Sequence, residues 1–127
     1  MIESIGVDIV DIPRIEKVIQ RWGDLFLNKV LTSKEYEYCR EKAGLAASVA
    51  ARFAAKEAVY KALPTEVQPV ARWLDIEVIN ELSGRPRIEF NGDLQNLLQQ
   101  FDVQISISHS KSSAVAMVVI QKKESVK

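Results

Sequence analysis

The sequence predicts an α+β fold, a mainly antiparallel sheet packed against one long helix. Three observations lead there: a period-two strand at the start, two pairs of strand-like runs each joined by a short polar turn, and an alanine-rich stretch too long for a strand. The 127 residues suit one domain, residues 1–127, with no repeat or linker.

The first strand is expected over residues 2–9, with Ile5, Val7 and Ile9 on one face and Ser4, Gly6 and Asp8 on the other. Asp8 thus ends its polar face. A helix follows from about residue 11 to 22, capped by Asp11 and tolerant of Pro13 in its first turn, and Gly23 closes it. Thr32-Ser33-Lys34-Glu35 is a capping-box pattern that starts a second helix running to about Glu41. Gly44 separates that helix from the long one, which stops before Pro64. Residues 65–73 read as loop. Strands over 75–80 and 87–90 are joined through Ser83-Gly84-Arg85-Pro86, and Leu94, Leu97, Leu98 and Phe101 recur at helical spacing. Val103–Ser108 and Ala114–Gln121 then flank a polar turn. The last strand is apolar on both faces and should be central, while the tail from Lys122 is polar and should fray.

Lys+Arg and Asp+Glu number 17 each, and this balance argues against a dedicated nucleic-acid binder, which carries a basic excess. No apolar run reaches the roughly 18–20 residues of a membrane span, and Met-Ile-Glu-Ser lacks the basic start of a signal peptide. A cytoplasmic protein is expected. The single cysteine, Cys39, excludes an internal disulfide and reads as a half-buried helix residue.

The segment Arg52-Phe53-Ala54-Ala55-Lys56-Glu57-Ala58-Val59-Tyr60-Lys61 places a carboxylate and cations on successive turns of the long helix. Glu57 and Lys61, four apart, also fit an ordinary surface ion pair. Arg52 and Lys56 do not: like charges at that spacing cost stability unless an anion is near. Alanines 46, 47, 50, 51, 54, 55, 58 and 62 leave room for backbone or ligand to come close. On the first helix, Arg14, Lys17 and Arg21 share a stripe, which by itself is also an ordinary solvated face. His109 continues the alternation of Val103, Ile105 and Ile107 and could be a buried, hydrogen-bonded histidine; Asp8 could cap a turn.

Gly6-Val7-Asp8-Ile9-Val10-Asp11 with Arg14-Ile15, Arg52-Phe53-Ala54-Ala55-Lys56-Glu57-Ala58 with Lys61, and Ile105-Ser106-Ile107-Ser108-His109 together resemble the holo-acyl-carrier-protein synthases, the short 4'-phosphopantetheinyl transferases. The likeness runs from residue 2 to about 121, with the blocks in the family's order. It implies transfer of the phosphopantetheine arm from coenzyme A to a serine of apo acyl carrier protein, with Mg2+. By this resemblance Asp8 and Glu57 hold the metal, Lys61 neutralises phosphate charge, and Arg52, Lys56 and His109 contact coenzyme A phosphates. Mg2+ suits the role, taking one or two carboxylates and filling its shell with water and phosphate oxygens. The serine's proton is left open between Glu57 and a metal-bound water.

The resemblance also implies that Arg14, Lys17 and Arg21 dock the acidic carrier, and that the protein is a homotrimer with active sites between subunits, Asp8 and Glu57 from one and His109 from its neighbour. A silent member that only binds carrier protein or coenzyme is the alternative; the three residues Asp8, Glu57 and Lys61 together favour the enzyme. One departure stands out. Where the family has a glycine-rich loop against the coenzyme, this chain has Pro64-Thr65-Glu66-Val67-Gln68-Pro69, so coenzyme contacts there are in doubt.

Overall fold

The computed structural model describes residues 1–124. Strand β1 (Ile2–Asp11) leads into α1 (Ile12–Trp22), α2 (Asp24–Val30), α3 (Ser33–Arg40) and the long α4 (Leu45–Ala62). A hairpin, β2 (Ile76–Asn80) and β3 (Pro86–Phe90), precedes α5 (Gly92–Leu97), β4 (Phe101–His109) and β5 (Ser113–Lys122). The main sheet is antiparallel in the order β1-β5-β4, and the hairpin forms a sheet of its own. The α+β architecture is the expected one. So is the central place of β5, whose Ala114, Ala116, Val118 and Ile120 are buried while Val115 and Val119 are half-buried.

Helix α4 lies across the inner face of this sheet, with Val49, Ala50, Ala54, Ala55, Ala58 and Val59 fully buried. Small side chains let the two layers approach closely. Gly6 marks the tightest point, where an added Cβ would stand 2.0 Å from the Ala58 carbonyl oxygen. One step earlier on the same face, the Ser4 hydroxyl donates to the Ala62 carbonyl at 2.5 Å. The small, polar face of β1 is therefore the packed one. Its apolar face is open: Ile5, Val7 and Ile9 are 61%, 56% and 69% exposed, beside Met117 at 49%.

Several boundaries differ from the sequence reading, each for a local reason. Helix α2 was not anticipated; it starts directly after Gly23, whose φ of 52° turns the chain out of α1. Asp75 belongs to a short 3-10 turn (Trp73–Asp75), so β2 begins at Ile76. Phe101 opens β4 rather than closing α5, because α5 ends at Leu97 and the Leu98 amide closes onto Leu94. Lys122 ends β5 instead of fraying, and the Lys123 amide bonds the Gln100 carbonyl; the end of the expected tail lies outside the described residues. Cys39 is fully buried, not half-buried, and burial raises its thiol pKa.

Candidate active site

Asp8 and Glu57 come together because β1 crosses α4 at Gly6 and Ala58. The crossing puts Asp8 two residues beyond the contact on the strand and Glu57 one residue before it on the helix. Lys61, one helical turn after Glu57, reaches back over this junction, its Nζ 2.9 Å from Asp8 Oδ1 and 3.4 Å from the Val7 carbonyl. The electrostatics agree with this convergence. The Glu57 pKa is raised by partial burial first and by the charge of Asp8 second, with Lys61 opposing. That of Lys61 is raised chiefly by its hydrogen bond to Asp8.

Two acidic groups whose mutual repulsion one lysine only partly offsets make a site with net appetite for a cation. No cluster of three or more His, Cys, Asp or Glu able to hold a metal occurs among the described residues. Two carboxylates are nevertheless a sufficient protein share for Mg2+, which keeps water and phosphate oxygens in its remaining positions. The residues present fit that ion.

The other sequence candidates separate into two groups. Arg52 and His109 border a cleft of about 470 Å3, together with Tyr38 and Lys42 on one wall and Asn80 and Pro86 on the other. Arg52 is 4% exposed; its guanidinium lies 4.1 Å from the Tyr38 ring centroid and donates to Asn80 Oδ1, and its buried Nε has no acceptor among the described residues. Histidine 109 is exposed at the end of β4 rather than buried. Lysine 56 must be corrected. Its ammonium is fully buried and spent on Glu35 Oε1 at 2.6 Å, the Val30 carbonyl at 2.6 Å and the Trp73 carbonyl at 3.3 Å, so it has no face left for a phosphate. Burial lowers its pKa, with Glu35 opposing.

Residues 64–71 form a closed coil instead of an open loop. The amides of Val67 and Gln68 bond the Pro64 carbonyl, and those of Val70 and Ala71 bond Val67 and Gln68 in turn. Backbone donors that a glycine loop would aim at a phosphate are used internally. On the first helix, Arg14, Lys17 and Arg21 are all exposed, and Arg21 lies 5.2 Å from the Trp22 ring centroid. Beside them Val18, Trp22, Leu25, Phe26 and Lys29 frame a hollow of about 340 Å3. Sequence reasoning missed Tyr38, Lys42 and Asn80, which become cleft residues only through the packing of α3 and the hairpin on α4.

A family model, described as the 4'-phosphopantetheinyl transferase superfamily, matches residues 4–119. The chain belongs to this superfamily. Within it, the chain is 45% identical over 118 residues to a holo-[acyl-carrier-protein] synthase of Chlorobium limicola, covering 92% of each. It is 42% identical over 124 residues to that of Koribacter versatilis, covering 95% of this chain and 99% of the other. Among solved structures, a holo-(acyl-carrier-protein) synthase from Bacillus anthracis in complex with CoA (3',5'-ADP) is similar at a TM-score of 0.81 and 39% identity, covering 97% of this chain and 99% of that one. That of Neisseria meningitidis gives 0.84 at 29% identity, covering 96% and 100%. The phosphopantetheinyl transferase fold anticipated from the three sequence blocks is thus the observed one, and the chain is a transferase of this superfamily.

Proposed function

We propose that the protein transfers the 4'-phosphopantetheine group from coenzyme A to a serine hydroxyl of apo acyl carrier protein, releasing adenosine 3',5'-bisphosphate. The observation that carries this reading is the junction of Asp8, Glu57 and Lys61 at the β1–α4 crossing, in a chain whose relatives are holo-acyl-carrier-protein synthases.

In the reaction the serine oxygen bonds to the phosphorus nearer the pantetheine arm, and the bond from that phosphorus to the bridging diphosphate oxygen breaks. The electron pair leaves with adenosine 3',5'-bisphosphate, and the serine's proton passes to Glu57 or to water at the carboxylate junction. Charge on the diphosphate repels the incoming oxygen, so the site must spread that charge over fixed cations. Lys61 supplies one such cation, held by Asp8 at 2.9 Å so that little reorganisation is needed. Asp8 and Glu57 would hold Mg2+, which when bound supplies further neutralisation of the diphosphate oxygens. Arg52 and His109 provide a cation and a hydrogen-bonding ring for the coenzyme's nucleotide phosphates in the cleft.

The cleft and the carboxylates face apart within one chain. Arg52 and Glu57 are five residues apart on α4, about 140° around a regular helix. A neighbouring subunit would bring the two halves together, and the exposed apolar stripe of Ile5, Val7, Ile9 and Met117 offers a surface for it. We therefore read the assembly as a homotrimer with sites between subunits. The basic stripe of Arg14, Lys17 and Arg21 beside the Trp22 hollow suits an acidic carrier that also presents an apolar side chain.

The test is to incubate the protein with coenzyme A, Mg2+ and apo carrier protein and weigh the carrier. Gain of the arm is expected, with loss on chelation of the metal. Asp8→Asn and Glu57→Gln should each reduce turnover by about 100-fold or more while the chain stays folded. A carrier that never gains mass would refute the assignment, and wild-type rates in both variants would remove the carboxylates from it.

A further inference from the structure

Behind the cleft lies a set of buried charges that the transfer chemistry does not use. Glu35, Lys56 and Glu77 are 1%, 0% and 5% exposed. Such burial is a poor route to stability, since replacing a buried ion pair by apolar groups of similar volume is commonly neutral or stabilising. Its geometry suggests another use.

Lys56 projects from α4 and spends its ammonium on Glu35 and on the carbonyls of Val30 and Trp73. Glu35, on α3, is itself fully engaged: Oε1 also accepts from the Thr32 amide at 2.8 Å, and Oε2 accepts from the Val78 amide of β2 at 2.9 Å. The Thr32 hydroxyl completes the set by donating to Glu77 Oε2, also on β2. One turn earlier on α4, Arg52 repeats the pattern, donating to Asn80 of β2 and lying against Tyr38 of α3. At the Lys56 level, then, α4 is bonded to α3, and Glu35 links α3 to β2; at the Arg52 level α4 is bonded directly to β2 and lies against α3. Tyr38 of α3 and Asn80 of β2 line the cleft on either side of Arg52, with Lys42 just beyond α3 and Pro86 at the start of β3. Among the described residues no strand ladder ties the β2–β3 hairpin to the main sheet, so its placement rests on side chains, the buried Ile76 and Val78 together with these polar bonds.

We propose that Glu35 and Lys56 are positioning residues for the coenzyme: their buried bond fixes the separation of the cleft walls, and so sets coenzyme affinity without touching the ligand. This rests on the cleft being the coenzyme site. The carboxylate junction is anchored separately, through the Gly6–Ala58 contact and the Ser4–Ala62 bond, and does not depend on this clamp.

The decisive variant is the double substitution Glu35→Gln with Lys56→Met, which removes one buried charge of each sign and so leaves neither member of this ion pair without the other. Coenzyme A binding by calorimetry, urea midpoints, and steady-state kinetics are measured on the full chain. The double variant should keep wild-type stability yet bind coenzyme A at least about tenfold more weakly, with turnover at saturating coenzyme and the carrier's KM unchanged. Glu35→Asp is the milder cut: it keeps the counter-charge of Lys56 but shortens its reach, and it should weaken coenzyme binding in the same direction. If the double variant proves too unstable to measure, this single variant decides. Coenzyme affinity that stays at the wild-type value in a folded variant, or that returns to it when the double variant recovers stability, overturns the positioning role. His109→Ala serves as the control on the site itself. Unchanged coenzyme binding there refutes the cleft as the coenzyme site and the clamp with it, whereas weakened binding in His109→Ala with none in the clamp variants refutes the clamp alone.

Discussion

At the scale of single residues, Glu57 carries the clearest signature. Its carboxyl pKa is raised by partial burial and by Asp8, so ionising it costs more in the folded state than in the unfolded one. For an acid raised on folding, the penalty is full above the folded pKa and is relieved as pH falls through it toward the unfolded value of about 4.3. Glu57→Gln should therefore raise the melting temperature of the metal-free protein at pH 7, and the gain should vanish near pH 4. A gain independent of pH would show that the carboxylate's charge is not its source. Asp8→Asn should lower the Glu57 midpoint, read by carboxyl-carbon NMR, because the second-largest cause of the shift is then gone. The contrast with Lys56 is instructive, since adjacent positions on one helix have opposite fates: Lys56 faces inward to Glu35, and Glu57 faces the strand crossing.

At the scale of elements, the β1–α4 crossing decides whether there is a site. Gly6→Ala would push a methyl against the Ala58 carbonyl and force the strand away, at a cost of about 1–3 kcal/mol. Chemical denaturation should register that loss, and turnover should fall further than stability accounts for, because Asp8 moves with the strand. Undiminished turnover in a destabilised Gly6→Ala would separate the crossing from catalysis. Much of this architecture was legible beforehand. The alternation in β4, the continuous apolar run of β5 and the alanine-rich run of α4 are local signals, and sequence pattern reads local signals well. What escaped were features set by contact between distant segments. Glu35 was visible only as half of a capping box with Thr32, which the structure bears out; nothing in the chain's order reveals that it also reaches Lys56, 21 residues on. Lys56 was misjudged for the same cause, a helix face being readable from spacing but its partner not. Alternation in β1 told which residues share a face and not which face packs, and here the small-residue face won because it lets α4 approach.

On the scale of the whole molecule, the proposed function assigns partners to two surfaces. If the proposed trimer forms through the open apolar face, Val7→Lys should convert it to a smaller species by light scattering and remove activity while leaving the chain folded. An unchanged mass would move the subunit interface elsewhere. Arg14→Glu should raise the KM for carrier protein more than it lowers kcat, and the wild-type KM should climb with salt as charge attraction is screened. A KM indifferent to both would exclude the first helix as the docking face. Finally, the sealed sulfhydryl of Cys39 gives this protein a built-in clock for breathing motions. In the native state at neutral pH an alkylating reagent finds nothing to modify, so each molecule that gains one adduct has first exposed its interior, and the pace of that mass gain counts openings with no introduced probe.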